Sequence, residues 1–486
     1  MRIWIPGVLV LGLLACGGSD SPPGDTPDAG DETPDANPDV DAPEGPLGDI
    51  ADELRGIPGL TVEERPTTLE GYRFFVLTYD QPVDHMAPSG PRFAQRLTLL
   101  HRDYAAPVVT YNSGYNLSTR GSRSQITVLI NGNQLSMEHR YFSPSRPDPA
   151  DWTKLTIQQA ATDQHRITQA LQARIYHDNK WLTTGASKGG MTSLFHRRFF
   201  PEDVDGTVAY VAPIDYPEDA VQSDTNRYFV FLENVGTDPA CRQKLKDFQN
   251  LALARREAMK TRMRAEAQYT LLGEDRALEF AVVELPFIFW QYGAQSRCGS
   301  IPGANATDDQ VFAFMDDISG AASYGDEDLD AFLPYYHQSA TQLGYPAGDE
   351  SYLVGMLHPG EDTARAYVPS SIPTPAYDEG VAMRDIQTWL AADGAQVMLI
   401  YGQNDPWTAG AVDIGAATDS YKYIAPNGNH GSSITTLGDA DETAARATVL
   451  RWAGLPTGGM MAAKARLHAG EVTAEQEELA LRRHHR

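Results

Sequence analysis

The sequence predicts an α/β fold, a mostly parallel sheet with helices on both faces, into which a helical cap is inserted. Three observations predict it. Short β-prone runs alternate with segments of helical periodicity as far as about Pro213, the alternation of a sheet whose strands are joined by crossover helices. One junction, Trp181 to Thr184 followed by Gly185-Ala186-Ser187-Lys188-Gly189 and a helical run, has glycines where a chain turns sharply from strand into helix. From about Ile214 to Arg384 the alternation gives way to helical and polar segments, and it resumes with the apolar run Gln396 to Tyr401.

The N-terminal end stands apart from this fold. Arg2, an apolar run from Ile3 to Leu14 and the junction Leu13-Leu14-Ala15-Cys16-Gly17 read as a signal peptide too short to span a bilayer as a mature helix. The cysteine at the junction looks like a bacterial lipobox with a lipid on Cys16, and a plain secretory signal cut nearby is the other reading. Of the formal net charge of −26, nearly half belongs to the stretch Ser19 to Leu54, where twelve acids meet no base. That stretch has little to bury, so a disordered stalk is expected, reaching ~30 Å as coil and ~95 Å as extended polyproline II. So acidic a chain is not expected to bind nucleic acid. Export would put Cys241 and Cys298 in oxidising surroundings where they can pair, worth about 4 kcal/mol by chain entropy; two buried thiols are the alternative. No C-x-x-C or H-E-x-x-H pattern occurs, and no metal is expected.

Folded sequence begins near Ile50. Tyr72 to Tyr79 and Phe93 to Leu100 read as antiparallel strands around a proline-rich turn, and Pro107 to Asn112 as a strand emptying into Ser113-Gly114-Tyr115-Asn116. Thr156 and Gln159 form a capping box at the head of a helix that delivers the chain to the Trp181 strand, and Thr207 to Val211 is the next buried strand. Within the cap, Leu251 to Tyr269 is a charged helix and Ala281 to Tyr292 an apolar one. Its aromatic residues, Trp290 among them, either line a pocket for an apolar or prolyl ring or form the cap's core. Tyr421 to Ile424 is the last strand, and a basic helical tail starts at Thr473. The organisation expected is a signal at 1–16, a stalk at 17–49, core at 50–213, cap at 214–384, core again at 385–455, and a linker with tail at 456–486.

The turn at Ser187 is the G-x-S-x-G elbow of the α/β-hydrolases, which makes Ser187 a candidate nucleophile, an ordinary glycine-rich turn being the plain reading. In this fold the partners follow the serine as acid, then histidine. Asp405 sits just past a strand, and of the histidines after it only His430 follows a strand; His468, His484 and His485 lie in the tail. His430 would take the Ser187 proton and return it to the leaving group, with Asp405 holding the imidazole. Backbone N–H groups of Lys188 and of Gly114 or Tyr115 are the candidates for an oxyanion hole.

Four runs then carry a resemblance: M-E-H-R-Y-F-S-P-S-R-P, D-W-T-K-L-T-I-Q-Q-A-A-T-D-Q-H-R-I, G-A-S-K-G-G-M-T-S and R-R-F-F-P-E-D-V-D-G-T-V-A-Y-V-A-P. They resemble the secreted bacterial prolyl tri- and tetrapeptidyl aminopeptidases, serine peptidase family thirty-seven of the PS-10 type. The chain is more distantly similar to lysosomal Pro-X carboxypeptidase and dipeptidyl peptidase II, through E-H-R-Y and the elbow. The resemblance implies hydrolysis near a free peptide N-terminus, often after proline, with a peptide as substrate, no cofactor, and Ser187, Asp405 and His430 as the triad. An aminopeptidase must hold an α-ammonium; Glu138, Glu233 and Glu284 are the candidate acids in that order, with a structural pairing of Glu138 to Arg140 or Arg146 as the alternative. An esterase or lipase of the same fold, and an inactive surface-binding protein on this scaffold, are the competing readings. The expected location is the outer face of a bacterial membrane, lipid-anchored, or secretion.

Overall fold

A computed structural model describes residues 47–215, 226–359 and 362–484. The signal segment, Cys16 and most of the acidic stretch lie outside the described residues. Nine strands form one sheet: β1 Leu60–Arg65, β2 Arg73–Pro82, β3 Arg92–His101, β4 Val108–Asn112, β5 Asn133–Met137, β6 Trp181–Ala186, β7 Gly206–Tyr210, β8 Val397–Gly402 and β9 Tyr421–Ala425. Their spatial order is β1-β2-β3-β5-β4-β6-β7-β8-β9. Pairings from β1 to β5 are antiparallel and those from β5 to β9 parallel, the arrangement of an α/β-hydrolase core.

β7 and β8 are buried on both faces, which is why they read as largely apolar runs rather than alternating ones. Val208, Met398 and Ile400 point to one face, against Ile126, Leu129, Val449 and Leu450. Their neighbours Ala209, Leu399 and Tyr401 point to the other, against Leu194, Phe195, Ile386 and Leu390. At roughly 25 cal/mol for each Å² of apolar surface removed from water, these two layers supply much of the driving force that fixes the strand ends where the site lies.

Several expectations need correction in detail. The edge strand β1 was not anticipated; its pattern of one buried residue followed by half-buried and exposed ones carries almost no periodic signal. Thr156 does cap the helix Ile157–Arg174 by accepting from the Gln159 N–H. The Gln159 side chain instead binds Asp84 and the His85 N–H, so the reciprocal half of the box is absent. The charged stretch of the cap is two helices, Pro239–Ala254 and Arg256–Glu266, broken at Arg255. The apolar stretch is also two, Glu274–Val283 and Leu285–Tyr292, because Pro286 opens a new first turn.

Between β7 and β8 the helices from Arg227 onward share a separate apolar core that includes Phe248, Met259, Leu278, Phe289, Trp290 and Met315. A Cys241–Cys298 disulfide, with Cα atoms 5.3 Å apart, closes a loop within it. The helix Val381–Asp393 returns to the sheet, where Met383, Ile386 and Leu390 pack on the helix that follows β6.

Candidate active site

Ser187 stands at the C-terminal end of β6 with φ 54° and ψ −126°, a conformation that costs a non-glycine residue about 1–3 kcal/mol and persists only where its surroundings enforce it. The surroundings are specific. The Ser187 N–H donates to the Tyr210 carbonyl of β7 at 2.9 Å, and its own carbonyl accepts the Met191 N–H at 3.0 Å as the helix Lys188–Phe199 begins. A Cβ on Gly189 would lie 2.1 Å from the Asn112 carbonyl oxygen, so the elbow can lean on β4 only with glycine there. Asn112 ties the same three elements from its side chain, donating to Thr183 Oγ1 and Ser193 Oγ at 3.0 Å each.

Asp405 follows β8 and His430 follows β9, and both are buried. The Nδ1 of His430 meets Asp405 Oδ2 at 2.7 Å, while Asp405 Oδ1 accepts the Trp407 N–H at 3.2 Å. A carboxylate oxygen accepts, so the proton of this bond stays on Nδ1, which donates it, and Nε2 is left as the imidazole nitrogen able to receive one. The ring is held by its own backbone N–H, which donates to the Gln291 carbonyl at 2.9 Å, and by the rings of Tyr292, set perpendicular to it, and Trp407, tilted against it, 6.0 and 6.3 Å away between centroids. Ser187 and His430 line one cavity of about 50 Å³. Ser187 also lines a second cavity, of about 30 Å³, whose walls include Tyr115, Tyr292, Phe332 and Trp407. The serine therefore lies between a histidine side and an aromatic, cap-covered side.

Lys188 opens the helix, so its N–H precedes the first intrahelical bond. Its side chain is buried and reaches back, Nζ donating to the Gly114 carbonyl at 2.7 Å over the rings of Tyr115 and Phe142. This pins the Ser113–Tyr115 loop against the elbow so closely that a Cβ on Gly114, whose φ is +73°, would fall 2.4 Å from the Gly189 nitrogen. The expectation for Tyr115 needs correction: its N–H turns back to Ser113 Oγ at 3.2 Å within the loop, which leaves Gly114 as the loop's candidate donor.

The expected terminus-binding acids are engaged elsewhere. Glu138 is fully buried and accepts from Arg96, from the Leu117 N–H at 2.9 Å, and from Ser145 N–H and Oγ at 3.2 and 2.6 Å. It anchors loops, and its cation is Arg96 of the neighbouring β3 rather than Arg140 or Arg146. Arg140 instead forms a bidentate pair with Asp163 at 2.7 and 2.8 Å. Burial alone would raise the Asp163 carboxyl, and the Arg140 charge together with hydrogen bonds from Arg140 and His85 more than reverses this, holding it below the usual range. Glu233 has a half-exposed side chain paired with Lys246, and it lines a cavity apart from those of Ser187. Trp290 lines that same remote cavity and is otherwise packed in the cap core, so it is not a wall of the serine's cavities. Glu284 accepts the hydroxyls of Tyr324, Tyr345 and Tyr367 at 2.7, 2.7 and 2.8 Å. Beside it, burial and then the Glu284 charge hold the Asp362 carboxyl well above its ordinary value.

Sequence reasoning missed three contributors to the site. Asp215, buried and paired with Arg227 at 2.9 Å, lines the aromatic cavity; it lies in a loop after β7 with no motif around it. Lys188 was expected to act by its backbone alone. The tail helix Ala474–His484, read as a polar appendage, contributes Glu475, Glu478 and Leu479 to the cavity of Ser187 and His430.

Known proteins are similar to this chain. Residues 44–470 match the family model described as PS-10 peptidase S37. A prolyl tri/tetrapeptidyl aminopeptidase from Streptomyces mobaraensis is 46% identical over 421 residues, covering 84% of this chain and 86% of that one. Among solved structures, a proline iminopeptidase from Mycobacterium smegmatis is similar at 14% identity with a TM-score of 0.34, over 83% of this chain and 100% of that one. An α/β-fold hydrolase from Bacillus anthracis gives 11% and 0.34, over 78% and 99%. The extent of the family match and the identity to the Streptomyces enzyme decide the matter: the chain is a serine peptidase and belongs to the PS-10 peptidase S37 family.

Proposed function

We propose that this chain is an aminopeptidase that releases short peptides, three or four residues long and ending in proline, from a free N-terminus. Ser187 Oγ attacks the scissile carbonyl as His430 Nε2 takes its proton, and the negative oxygen is received by the N–H groups of Lys188 and Gly114. The imidazolium, stabilised by Asp405, then gives its proton to the leaving amine, and the C–N bond breaks to leave an acyl-enzyme. Water, deprotonated by His430, hydrolyses that ester and restores the serine. The observation that carries this reading is the 2.7 Å bond from His430 to buried Asp405 beside a strained serine whose cavity the histidine shares. The aromatic walls on the other side of Ser187 suit a small apolar ring such as that of proline.

The test compares a free Ala-Ala-Pro anilide, its N-acetylated form and a p-nitrophenyl ester, on the wild type and Ser187→Ala. Serine-dependent turnover of the free peptide, strongly reduced by acetylation, is expected. Turnover of the ester alone would favour an esterase. We also propose export with a lipid on Cys16, a reading supported by the disulfide of the cap. Cys16→Ser should then move the chain from the membrane fraction to the soluble one, and unchanged partition would refute the anchor.

A further inference from the structure

The helix Ala474–His484 begins beyond residue 470, where the family match ends, yet it is fastened beside the catalytic cavity. Its fastenings are numerous. Arg123 pairs with Glu471, and the Arg123 carbonyl accepts the Ala474 N–H at 2.8 Å. The Glu475 carboxyl receives the Gln125 N–H at 3.0 Å, and Tyr111 donates to Glu478. Leu479 lies over the loop that carries His430, 3.2 Å from where a Cβ on Gly431 would sit.

One face of the helix and the other look into different spaces. Glu475, Glu478 and Leu479 line the cavity of about 50 Å³ that holds Ser187 and His430. Ala474, Glu477 and Glu478 line a chamber of about 580 Å³ bounded also by Tyr111 and Arg120. Glu478 borders both, so the helix is a partition between them. Because His430 hands its proton to the departing nitrogen, the leaving segment of a substrate must depart through the cavity that His430 lines. A cavity of that size, walled on one side by a helix, leaves little room for a long one.

We infer that the C-terminal helix is a specificity-determining wall that limits the length of the segment following the cleaved bond, confining the enzyme to short oligopeptides. This rests on the aminopeptidase reading above. The test uses the full-length enzyme, a chain ending after Gly470, and the full-length double variant Tyr111→Phe, Arg123→Ala, which loosens the wall without removing it. Each is given Ala-Ala-Pro followed by one alanine or by six, and kcat/KM for release of Ala-Ala-Pro is read. Shortening the chain should raise the long-to-short ratio about tenfold or more, with a smaller rise in the double variant. A ratio unchanged in both, while wild type cleaves the short peptide, overturns the wall. Should the shortened chain fail to fold, the ratio in the double variant decides alone. Failure of wild type to cleave the short peptide overturns the aminopeptidase reading, and the wall with it.

Discussion

Replacing Glu138 by glutamine separates an anchor from a substrate ligand. The carboxylate serves two sets of donors: Arg96 and the Leu117 N–H on one oxygen, Ser145 N–H and Oγ on the other. An amide keeps one acceptor oxygen, so one set is left facing an NH₂ group. Removing one partner from a buried ion pair costs about 3–5 kcal/mol. Arg96 is 22% exposed in its side chain and keeps the Leu117 carbonyl at 2.8 Å, which places the loss at about 3 kcal/mol, the lower end of that range. Urea denaturation with an unchanged slope reads it directly. Leu117 is close in sequence to Gly114, so kcat/KM should also fall, about tenfold, and equally for free and N-acetylated peptides. Stability within about 0.5 kcal/mol of wild type, together with a selective loss on free peptides, would refute the anchor and return Glu138 to the substrate.

Further outcomes follow from the same geometry. Asp405→Asn leaves the His430 tautomer uncontrolled and should lower kcat by about 10⁴-fold with little change in folding, measured by anilide hydrolysis and circular dichroism. Trp290→Ala should cost about 3–5 kcal/mol in the cap while acting on free and long peptides alike, because its ring fills core rather than a substrate wall. Burial pushes the Glu475 carboxyl up from its ordinary 4.5 to about 7, against opposing bonds from Thr473 and Gln125. The groups around it are the Tyr210 hydroxyl, His430 across the cavity, Glu478 with Tyr111, and Glu471 with Arg123. A carboxyl raised in the docked state binds its proton more tightly there than when released. Docking of the tail is therefore strongest below about pH 4.5 and weakens as pH rises to about 7, by about 3 kcal/mol in all. Hydrogen-exchange protection at residues 474–480, corrected for the intrinsic pH dependence of amide exchange, should fall over that interval in wild type and stay level in Glu475→Gln.

The parts legible in the sequence are those whose chemistry is local. The elbow is written in Gly185 and Gly189 on either side of Ser187, and chain order together with the strands they follow singled out Asp405 and His430, which the fold brings to 2.7 Å. β7 and β8 were readable because burial on both faces makes them largely apolar, whereas β5, equally buried, reads N-Q-L-S-M and was not. What was not legible depends on neighbours distant in the chain. The partner of Glu138 could not be read from the E-H-R-Y run, because β3 places Arg96 beside it from forty-two residues away. Glu284 looked like a ligand in the sequence, and three tyrosines and an aspartate from later segments make it an anchor. The tail reads as basic and polar, whereas Glu475 and Glu478 in it bind Gln125 and Tyr111, and Glu471 just before it pairs with Arg123.

The central claim is that Ser187 is a nucleophile activated by His430. Treating the wild type, Ser187→Ala and His430→Ala with a fluorophosphonate, then mapping the adduct by peptide mass, tests it most directly. One phosphonyl group on Ser187 in the wild type, none in Ser187→Ala and at most slow labelling in His430→Ala are predicted. Wild type that stays unlabelled, or that carries the adduct on another serine, would contradict the account.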